Sequence, residues 1–382
     1  MRIGIDARFY GSIGKGLGRY TEKLIAHLEE IDPVNQYVIF LRRENFDEYV
    51  PRRENFHKVL ADYLWYGWQE QILFPFLLLR HRLHLVHFPH FNIPILYRKK
   101  FIVTVHDLIL LRFPTVQNTT LGWGVYTFKY ILYRMVVAIA MRRAEAVLTV
   151  SLFTKDDIAV HYPHAKEKLF VTKEAADEEC FFVGKNESLD VLGRHGLMES
   201  SPYGRIGKYF LYVGNAYPHK NLESIADVAL AFPEWKFVLV GKEDFFYRRL
   251  RRATNDMKNV FFAGFVTDCD LSVLYRNAAA YLFPSRYEGF GLPGLEAMQY
   301  GLPVIASHRG SLPEIYGEAA IFFDPDKGWD MERAIRRFLA YSDLERMQLR
   351  EKGFVQAGGF HWHDMATATL SIYQKVSASD RH

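Results

Sequence analysis

The chain has 382 residues, of which 49% are hydrophobic, and a chain of this length exceeds what one hydrophobic core usually supports, so two domains are expected. Its formal net charge of +4 is too small to indicate a nucleic-acid-binding protein, although it is compatible with an anionic substrate or an anionic membrane surface. Its two cysteines, Cys180 and Cys269, lie far apart in the sequence, which argues against a disulfide framework or a cysteine metal site and favours a reducing compartment.

The start of the chain and its apolar runs bear on where the protein is found. Residues 1–6 have the pattern of a strand, without the charged and then apolar pattern of a secretion signal. No apolar run reaches the length needed to span a membrane. The sequence therefore predicts a soluble, cytoplasmic protein.

Short strands rich in β-branched or aromatic residues alternate with helical stretches along the chain. In the first half the predicted strands are 2–6, 37–41, 85–88, 101–105 and 146–150. In the second half they are 209–213, 236–240, 260–262, 280–283, 304–306 and 321–323. This order predicts two parallel sheets covered by helices, and therefore an α/β fold of two doubly wound, Rossmann-like domains.

The boundary between the two domains is predicted from composition. Residues 183–208 carry glycines and a proline among polar residues, the composition of a linker with a solvated insertion. The predicted domains are therefore 1–182 and 209–361. A last helix is predicted from the apolar spacing of residues 362–376.

The first strand leads into a glycine-rich loop that opens a helix. Gly14, Gly16 and Gly18 do not complete the Gly-x-Gly-x-x-Gly fingerprint, because the residues three after Gly16 and Gly18 are Arg19 and Thr21. Dinucleotide binding is therefore disfavoured at this loop.

Two apolar stretches of the first half admit two interpretations. Residues 63–68 and 74–79 are strongly apolar and aromatic, as buried helices would be. Residues 126–143 add basic side chains, among them Lys129 and Arg134, to an apolar helix. Core packing with a basic outer face is the favoured interpretation, and contact with an anionic membrane is the alternative.

Potential metal ligands do not form a convincing site. His84, His87 and His90 are three residues apart, but in a strand such residues point to opposite faces. The Asp-x-Asp segments 268–270 and 324–326 fit loop or helix-start chemistry. No metal site is predicted.

The segment that follows strand 280–283 has the strongest functional pattern. After Pro284 it holds a turn with Glu288, Gly289 and Gly291, and then a helix start with Pro293. Glycines let the backbone approach a ligand closely, and the free amides of a first helical turn receive an anion. The segment therefore predicts a diphosphate-binding cradle.

Two carboxylates flank this predicted cradle. Glu288 and Glu296 are eight residues apart, one in the turn and one in the helix. A carboxylate accepts hydrogen bonds from two hydroxyls at once, so one can bind a sugar and the other a ribose.

In this segment the chain resembles the retaining glycosyltransferases of the GT-B fold, in the Glu-x7-Glu group known as glycosyltransferase family four. Glu288 and Glu296 match that signature, and the similarity continues in the family's order through segments 300–307, 310–315 and 319–325. The resemblance implies two Rossmann-like domains facing across a cleft, with helix 362–382 packing back on the first domain.

The resemblance also implies an activity. A member of this family moves a hexose from a nucleotide-diphosphate sugar with retention of configuration and without a metal or other cofactor. Overall similarity to bacterial mannosyltransferases favours GDP-mannose as donor, with glucose and N-acetylglucosamine donors left open. The implied acceptor is a glycan or lipid-linked glycan in cell-surface polysaccharide or lipopolysaccharide biosynthesis. The implied location is the cytoplasm, with peripheral contact at the inner face of the membrane and no nucleic-acid partner.

Carried over residue by residue, the resemblance assigns catalytic roles to Glu288, His106 and Lys220. Lys220 follows strand 209–213 at an expected helix start, where an ammonium can neutralise a diphosphate. His106 ends strand 101–105 and would bind the donor sugar, while Asp107 would orient that sugar or cap the next turn.

The remaining assignments are contacts to the donor. Contacts to donor phosphate or sugar are assigned to Gly16, Asn215, His219, Gly289, Phe290, Gly291 and Leu292. Contacts to the nucleoside are assigned to Glu296, Gly241, Phe265 and Val266.

Two of these positions carry open questions. The family commonly has an arginine where this chain has Asn215, which leaves Lys220 as the surer cation. His219 is either a second donor or a solvated loop histidine.

Two other functions are considered. A nucleotide-sugar epimerase of the same architecture would need acid and base groups at the sugar and would work without an acceptor. An inactive nucleotide-sugar-binding subunit is the non-enzyme alternative. The presence of Glu288, Glu296, Lys220 and His106 argues against loss of activity, while Asn215 keeps that alternative open.

Overall fold

The computed structural model describes residues 1–11, 15–113, 123–176, 184–198 and 208–378. The chain divides into two compact units. The first unit comprises Met1–Arg112, Leu121–Glu174 and His361–His382. The second comprises Phe113–Thr120 and Ala175–Phe360.

The described residues form thirteen strands and fourteen α-helices. The strands are β1 Arg2–Asp6, β2 Gln36–Leu41, β3 Phe56–Leu60, β4 Leu85–Phe88, β5 Phe101–Val105, β6 Ala146–Thr149, β7 Leu169–Val171, β8 Tyr209–Val213, β9 Lys236–Val240, β10 Val260–Gly264, β11 Ala280–Phe283, β12 Val304–Ser307 and β13 Ala320–Phe323. The helices are α1 Lys15–Ile31, α2 Trp68–Arg80, α3 Ile109–Arg112, α4 Trp123–Arg143, α5 Leu152–His161, α6 Lys185–Arg194, α7 Glu223–Ala229, α8 Phe245–Ala253, α9 Asp268–Asn277, α10 Leu292–Gln299, α11 Leu312–Tyr316, α12 Gly328–Leu339, α13 Asp343–Ala357 and α14 Trp362–Ala378.

The first unit contains a seven-stranded parallel sheet in the order β3-β2-β1-β4-β5-β6-β7. Val86 and Phe88 of β4 face a core that α2, α4 and α5 cover. His87, between them, lies on the opposite face, where it contacts Tyr373 of α14. Helix α14 also packs against α1. The sheet is therefore covered by helices on both faces, as an α/β fold requires.

The second unit contains a six-stranded parallel sheet in the order β10-β9-β8-β11-β12-β13. In each sheet the chain order reverses between two central neighbours: β1 and β4 in the first, β8 and β11 in the second. Ligands of open parallel sheets bind beside the carboxyl ends of such strands. These two places are where functional residues are expected.

The predicted strands are all present, some with ends that differ by one or two residues, and two further strands were missed. The missed strands, β3 and β7, are the two edges of the first sheet. Strand β3 is partly exposed along its length, and β7 has only three residues. His57 and Lys58 interrupt the apolar residues of β3, and the apolar run of β7 is shorter than that of a central strand.

The segment 183–208 differs from the solvated linker that its composition predicts. Its described part, 184–198, contains α6, which packs against α9 within the second unit. Val191, Leu192 and Leu197 are buried. One face of a short helix is enough to fix this segment, although most of its residues are polar.

Candidate active site

Two of the assigned catalytic residues meet at the point of strand reversal in the second sheet. Lys220 lies in the loop after β8, and Glu288 lies in the loop after the neighbouring strand β11. The Lys220 ammonium donates a hydrogen bond to Glu288 Oε1 over 2.6 Å. Their side chains are 14% and 9% exposed, so the pair is mostly shielded from water but open to one side. A charge-assisted hydrogen bond in such a setting is short and strong.

The loop that carries Lys220 is held by backbone contacts to its neighbour. Lys220 ends a 3-10 turn, Pro218–Lys220, and α7 begins three residues later, so the predicted helix start is wrong by one short turn. The amide of Arg286 donates to the carbonyl of His219 at 2.7 Å, and Asn221 Nδ2 donates to the carbonyl of Pro284 at 3.3 Å. These bonds tie the two loops together and fix the distance between their charged groups.

The loop that carries Glu288 is held from a third segment. The Ser311 amide and hydroxyl both donate to the carbonyl of Glu288, at 3.2 and 3.1 Å. The neighbouring Gly310 has a φ of +65°, and a Cβ on it would lie 2.7 Å from the Glu288 amide nitrogen. Only glycine fits that approach. Gly310 and Ser311 thus position Glu288, a role that family similarity alone did not reveal.

Helix α10 starts directly after this loop. Gly291 precedes it with a φ of +107°, and a proline occupies its first turn, as predicted. The Tyr316 hydroxyl donates to the carbonyl of Gly291 at 2.5 Å. The start of α10 therefore has a fixed position, and the positive end of its dipole favours an anion there.

His219 and Asn215 contribute to the loop itself. His219 is buried, and burial together with the charge of Lys220 lowers its pKa to about 3, so it is neutral near pH 7. The alternative of a solvated loop histidine is therefore wrong. Asn215 Oδ1 accepts from the amide of Tyr217 at 3.2 Å, which shapes the turn after β8.

The residues assigned to the nucleoside lie at or after the carboxyl ends of β9 and β10 and within α10. Glu296 accepts from the Tyr275 hydroxyl at 3.4 Å. A Cβ on Gly241 would lie 2.1 Å from the carbonyl of Gly214, so this glycine is required by packing. Phe265 is exposed and Val266 is buried. None of these contacts identifies a base.

His106 belongs to the first unit and follows β5. Its Nδ1 lies 2.9 Å from Glu174 Oε1, and its Nε2 lies 2.9 Å from the carbonyl oxygen of Pro89. Burial by itself lowers the pKa of His106, but the hydrogen bond and charge of Glu174 outweigh burial and raise it. Asp107 accepts from the amide of Ile109 at 2.9 Å, in keeping with the capping interpretation. Sequence reasoning missed Glu174, which no motif marks.

Gly16 and Gly18, in the glycine-rich segment of the first unit, have different surroundings. A Cβ on Gly18 would lie 2.0 Å from the carbonyl of Gly11, so the fold requires glycine there. A Cβ on Gly16 would meet nothing within 4 Å, which leaves open space beside α1. Gly14 lies outside the described residues. The assignment of Gly16 to the donor stays a prediction.

The histidines of the β4 region are held by separate partners. His84 Nδ1 accepts from the Arg2 amide, while His87 contacts Tyr373 and Thr104. Within the described residues, no group of three histidine, cysteine, aspartate or glutamate side chains is arranged to hold a metal ion.

Helices α2 and α4 expose apolar side chains on the side away from the core. In α2, Phe74 is buried while Phe76 is 67% exposed. In α4, Val137 is buried while Phe128 is 63% exposed. Other exposed apolar residues are Leu64, Trp68, Ile72, Leu79, Ile131 and Met135. Core packing therefore explains only one side of each helix. Among the described residues, no helix is both long and apolar enough to cross a membrane.

Comparison with known proteins agrees with this architecture. Residues 204–355 match the family model described as glycosyl transferases group 1, and residues 14–179 match that of glycosyltransferase family 4. The chain is 26% identical to O-antigen chain mannosyltransferase B of Escherichia coli, over 94% of this chain and 96% of that protein. It is 26% identical to O-antigen chain mannosyltransferase RfbU of Salmonella typhimurium, over 85% and 88%.

A solved structure extends the agreement to the fold. Sucrose-phosphate synthase (tll1590) from Thermosynechococcus elongatus superimposes with a TM-score of 0.74 at 18% identity, covering 99% of this chain and 100% of that one. Two parallel Rossmann-like sheets, together with the matching family models and the mannosyltransferase relatives, define a glycosyltransferase of the GT-B fold. The two family models match successive parts of the chain, which is therefore similar to glycosyltransferases of these families along most of its length. The predicted fold and enzyme class are confirmed.

Proposed function

We propose that this protein is a retaining mannosyltransferase that moves mannose from a nucleotide-diphosphate sugar, GDP-mannose in first place, to a glycan or lipid-linked glycan. The proposed enzyme acts in the assembly of cell-surface polysaccharide. The choice of mannose is supported by the two O-antigen mannosyltransferases that each align with more than four fifths of the chain. The chemistry of transfer is carried by the Lys220–Glu288 pair at the strand reversal.

The proposed role of Lys220 follows from charge. As the bond between the sugar and the diphosphate breaks, negative charge grows on the leaving oxygens. An ammonium and the start of α10 stabilise that charge, and both are held in place before the donor arrives. The ordered loops lower the cost of reorganisation during the reaction.

The proposed role of Glu288 is to bind the hydroxyls of the transferred sugar and to position its anomeric carbon. The carboxylate that accepts from the Lys220 ammonium can also accept hydrogen bonds from sugar hydroxyls. The leaving phosphate then takes the acceptor proton, and substitution on the same face retains the configuration. His106 serves the donor sugar, and no metal takes part.

The proposed site of action is the inner face of an anionic membrane, where a lipid-linked acceptor would lie. Helices α2 and α4 expose apolar side chains, and the exposed Lys129 and Arg134 of α4 are basic. The sequence of α4 contains no acidic residue, and the one acidic residue of α2, Glu70, is buried. Apolar and basic side chains without carboxylates are the composition of a surface that rests on anionic lipid.

The experiment that tests the donor is calorimetric titration with GDP, UDP and ADP, without added metal, followed by transfer assays with the matching mannose and glucose donors. Micromolar binding of GDP and transfer from GDP-mannose are expected. Selective binding of UDP would overturn the mannose assignment and leave the site intact. A donor converted to its epimer without an acceptor would instead favour the epimerase.

The stereochemistry needs its own measurement. NMR of the first product formed should report the same anomeric configuration as the donor. An inverted product would contradict the proposed same-face substitution. Transfer that stops when the protein is treated with a chelator, and returns with magnesium, would contradict the metal-independent reaction.

A further inference from the structure

The His106 ring is enclosed by two hydrogen-bond acceptors. Its Nε2 faces the carbonyl oxygen of Pro89 at 2.9 Å, and a carbonyl can only accept, so Nε2 carries a proton. Its Nδ1 faces Glu174 Oε1 at 2.9 Å. A glutamate ordinarily loses its proton at a lower pH than a histidine, so the second proton of this pair resides on the ring. The pair is then an imidazolium beside a carboxylate.

The charged groups around the ring support this state. Asp107 adds a second negative charge nearby. His87 and His90 are neutral near pH 7, because burial lowers the pKa of each to about 3. Tyr20 of α1 contacts the His106 ring edge to face, with 4.7 Å between the ring centroids. This contact brings no charge near pH 7.

We propose that Glu174 is a positioning residue that keeps both nitrogens of His106 protonated and fixes the orientation of its ring, leaving Nε2–H as the group that meets a ligand oxygen. Of the two bonds, the one to the charged Glu174 is the stronger, so the bond to the neutral Pro89 carbonyl is the one that a ligand replaces. The side chain of His106 is 19% exposed, whereas that of Glu174 is 7% exposed. The ring is therefore partly accessible, and the carboxylate is more deeply buried.

This assignment rests on the proposed function, in which His106 contacts the donor sugar, and it sharpens what His106 can do. A doubly protonated ring donates hydrogen bonds and cannot accept a proton. His106 is then a binding group for sugar or phosphate oxygens and is excluded as a general base. The proton of the acceptor hydroxyl must go elsewhere, in agreement with the leaving phosphate as its destination.

The test is nitrogen-15 NMR of histidine-labelled full-length protein, with the His106 signals assigned from His106→Gln. In the unmodified protein both nitrogens of His106 should have the shifts of protonated imidazolium at pH 7. In Glu174→Gln the pKa of His106 should fall by roughly one to three units. Glu167→Gln, which removes an exposed carboxylate from the same unit, is the matched control and should leave the titration unchanged.

A neutral His106 in the unmodified protein at pH 7, or an unchanged titration in Glu174→Gln, would overturn the inference. Because the first of these needs no Glu174 variant, a Glu174 variant that fails to fold does not block the test. Transfer assays form a second, separate readout: kcat/KM of Glu174→Gln should fall about tenfold or more at pH 8 and recover towards pH 6. A titration that shifts as expected without any change in transfer would instead remove His106 from the proposed reaction.

Discussion

Lys220 donates a hydrogen bond to Glu288 at 2.6 Å. The two groups proposed to act on opposite ends of the breaking bond thus hold each other in place. In the proposed reaction the ammonium also donates to phosphate oxygens, and the carboxylate accepts from sugar hydroxyls. We therefore expect the pair to bind a ligand that carries both groups.

Replacing Glu288 and Lys220 one at a time should distinguish the role of the carboxylate from that of the ammonium. Glu288→Gln should lower kcat by about 100-fold with little change in GDP affinity, because the lost charge acts mainly on the sugar. Lys220→Met should lower kcat by about 100-fold and also weaken GDP binding about tenfold, because it removes a charge opposite the diphosphate. Transfer rates and calorimetry on the two variants measure this difference.

The control for this pair is Glu223→Gln, which breaks the exposed contact between Arg249 and Glu223 in the same unit. Its kinetics should match those of the unmodified protein, since exposed ion pairs contribute little. Unaltered turnover in both Glu288→Gln and Lys220→Met would remove this site assignment.

Gly310→Ala should displace Glu288. The added Cβ would lie 2.7 Å from the Glu288 amide nitrogen, in a backbone conformation that alanine adopts poorly. We expect a loss of about 1 to 3 kcal/mol in the free energy of unfolding and at least a tenfold lower kcat. Chemical denaturation and transfer assays measure the two effects.

Gly193→Ala is the matched control for Gly310→Ala. Gly193 lies inside α6, and a Cβ there would meet nothing within 4 Å. This change should leave turnover unaltered and stabilise the protein by up to about 1 kcal/mol, since alanine is the better helix former. If Gly310→Ala behaves like Gly193→Ala, the loop after β11 is not held as described.

Tyr316→Phe tests the start of α10. Loss of the hydroxyl leaves the carbonyl of Gly291 with the longer, 3.2 Å bond from the Gly294 amide, at a cost of about 1 kcal/mol. The KM for the donor should rise because the helix start loses its fixed position. Tyr209→Phe removes a similar buried bond, to the carbonyl of Leu274, away from the site. Tyr209→Phe should lower the free energy of unfolding by a similar amount and leave the KM for the donor unchanged. A rise in KM in both variants would mean that the effect of Tyr316→Phe is not specific to the start of α10.

Much of the site follows from sequence where its residues are close together in the chain. The turn from Glu288 to the start of α10 is contiguous, so its glycines and proline predict a cradle directly. Glu174 is different: its partner His106 is 68 residues away, and it follows an edge strand of only three residues, too short to mark it in the sequence. Gly310 was recognised only as part of a similar segment, because its contact with Glu288 exists only after folding.

The same limit explains the outer surface of the first unit. The apolar residues of α2 and α4 are close to continuous in sequence, so composition does not separate the side that faces the core from the side that faces out. Packing decides that Phe74 is buried and that Phe76, two residues later, is not. Helical periodicity gives the face only when one face is polar.

The exposed face of α4 should bind anionic vesicles. Phe128→Ser should weaken binding to vesicles of anionic phospholipid by roughly tenfold, the effect of withdrawing one large apolar side chain from lipid. Sedimentation of the protein with vesicles at low and high salt measures it, and salt should weaken binding further through Lys129 and Arg134. Leu344→Ser, at a position 59% exposed on α13 of the second unit, is the control. Protein that stays in solution at low salt would contradict the proposed membrane contact.

The buried histidines should make the protein sensitive to acid. The pKa of His87 and that of His219 are each lowered to about 3, so below about pH 6.5 the unfolded chain binds more protons than the folded one. Stability should therefore fall with decreasing pH, by about 2 kcal/mol for each histidine at pH 5. The raised pKa of His106 acts in the opposite sense, because its contribution is complete below about pH 6.5 and is lost as pH rises through the raised value.

Denaturant titrations between pH 7 and pH 5 measure this acid sensitivity. His219→Asn should show a smaller decrease in stability over that range than the unmodified protein. His363→Asn, whose side chain is 56% exposed, should show the same decrease. Equal slopes in all three proteins would mean that His219 is not buried in its neutral form.

Helix α14 closes a sheet whose first strand is made more than 350 residues earlier. During translation, therefore, the ribosome completes almost every residue of the second unit while α1 still lacks its partner. The second unit can therefore fold first, whereas the first unit keeps an uncovered apolar face until α14 is made. Nascent chains that end before residue 361 should therefore bind chaperones through the first unit rather than through the second.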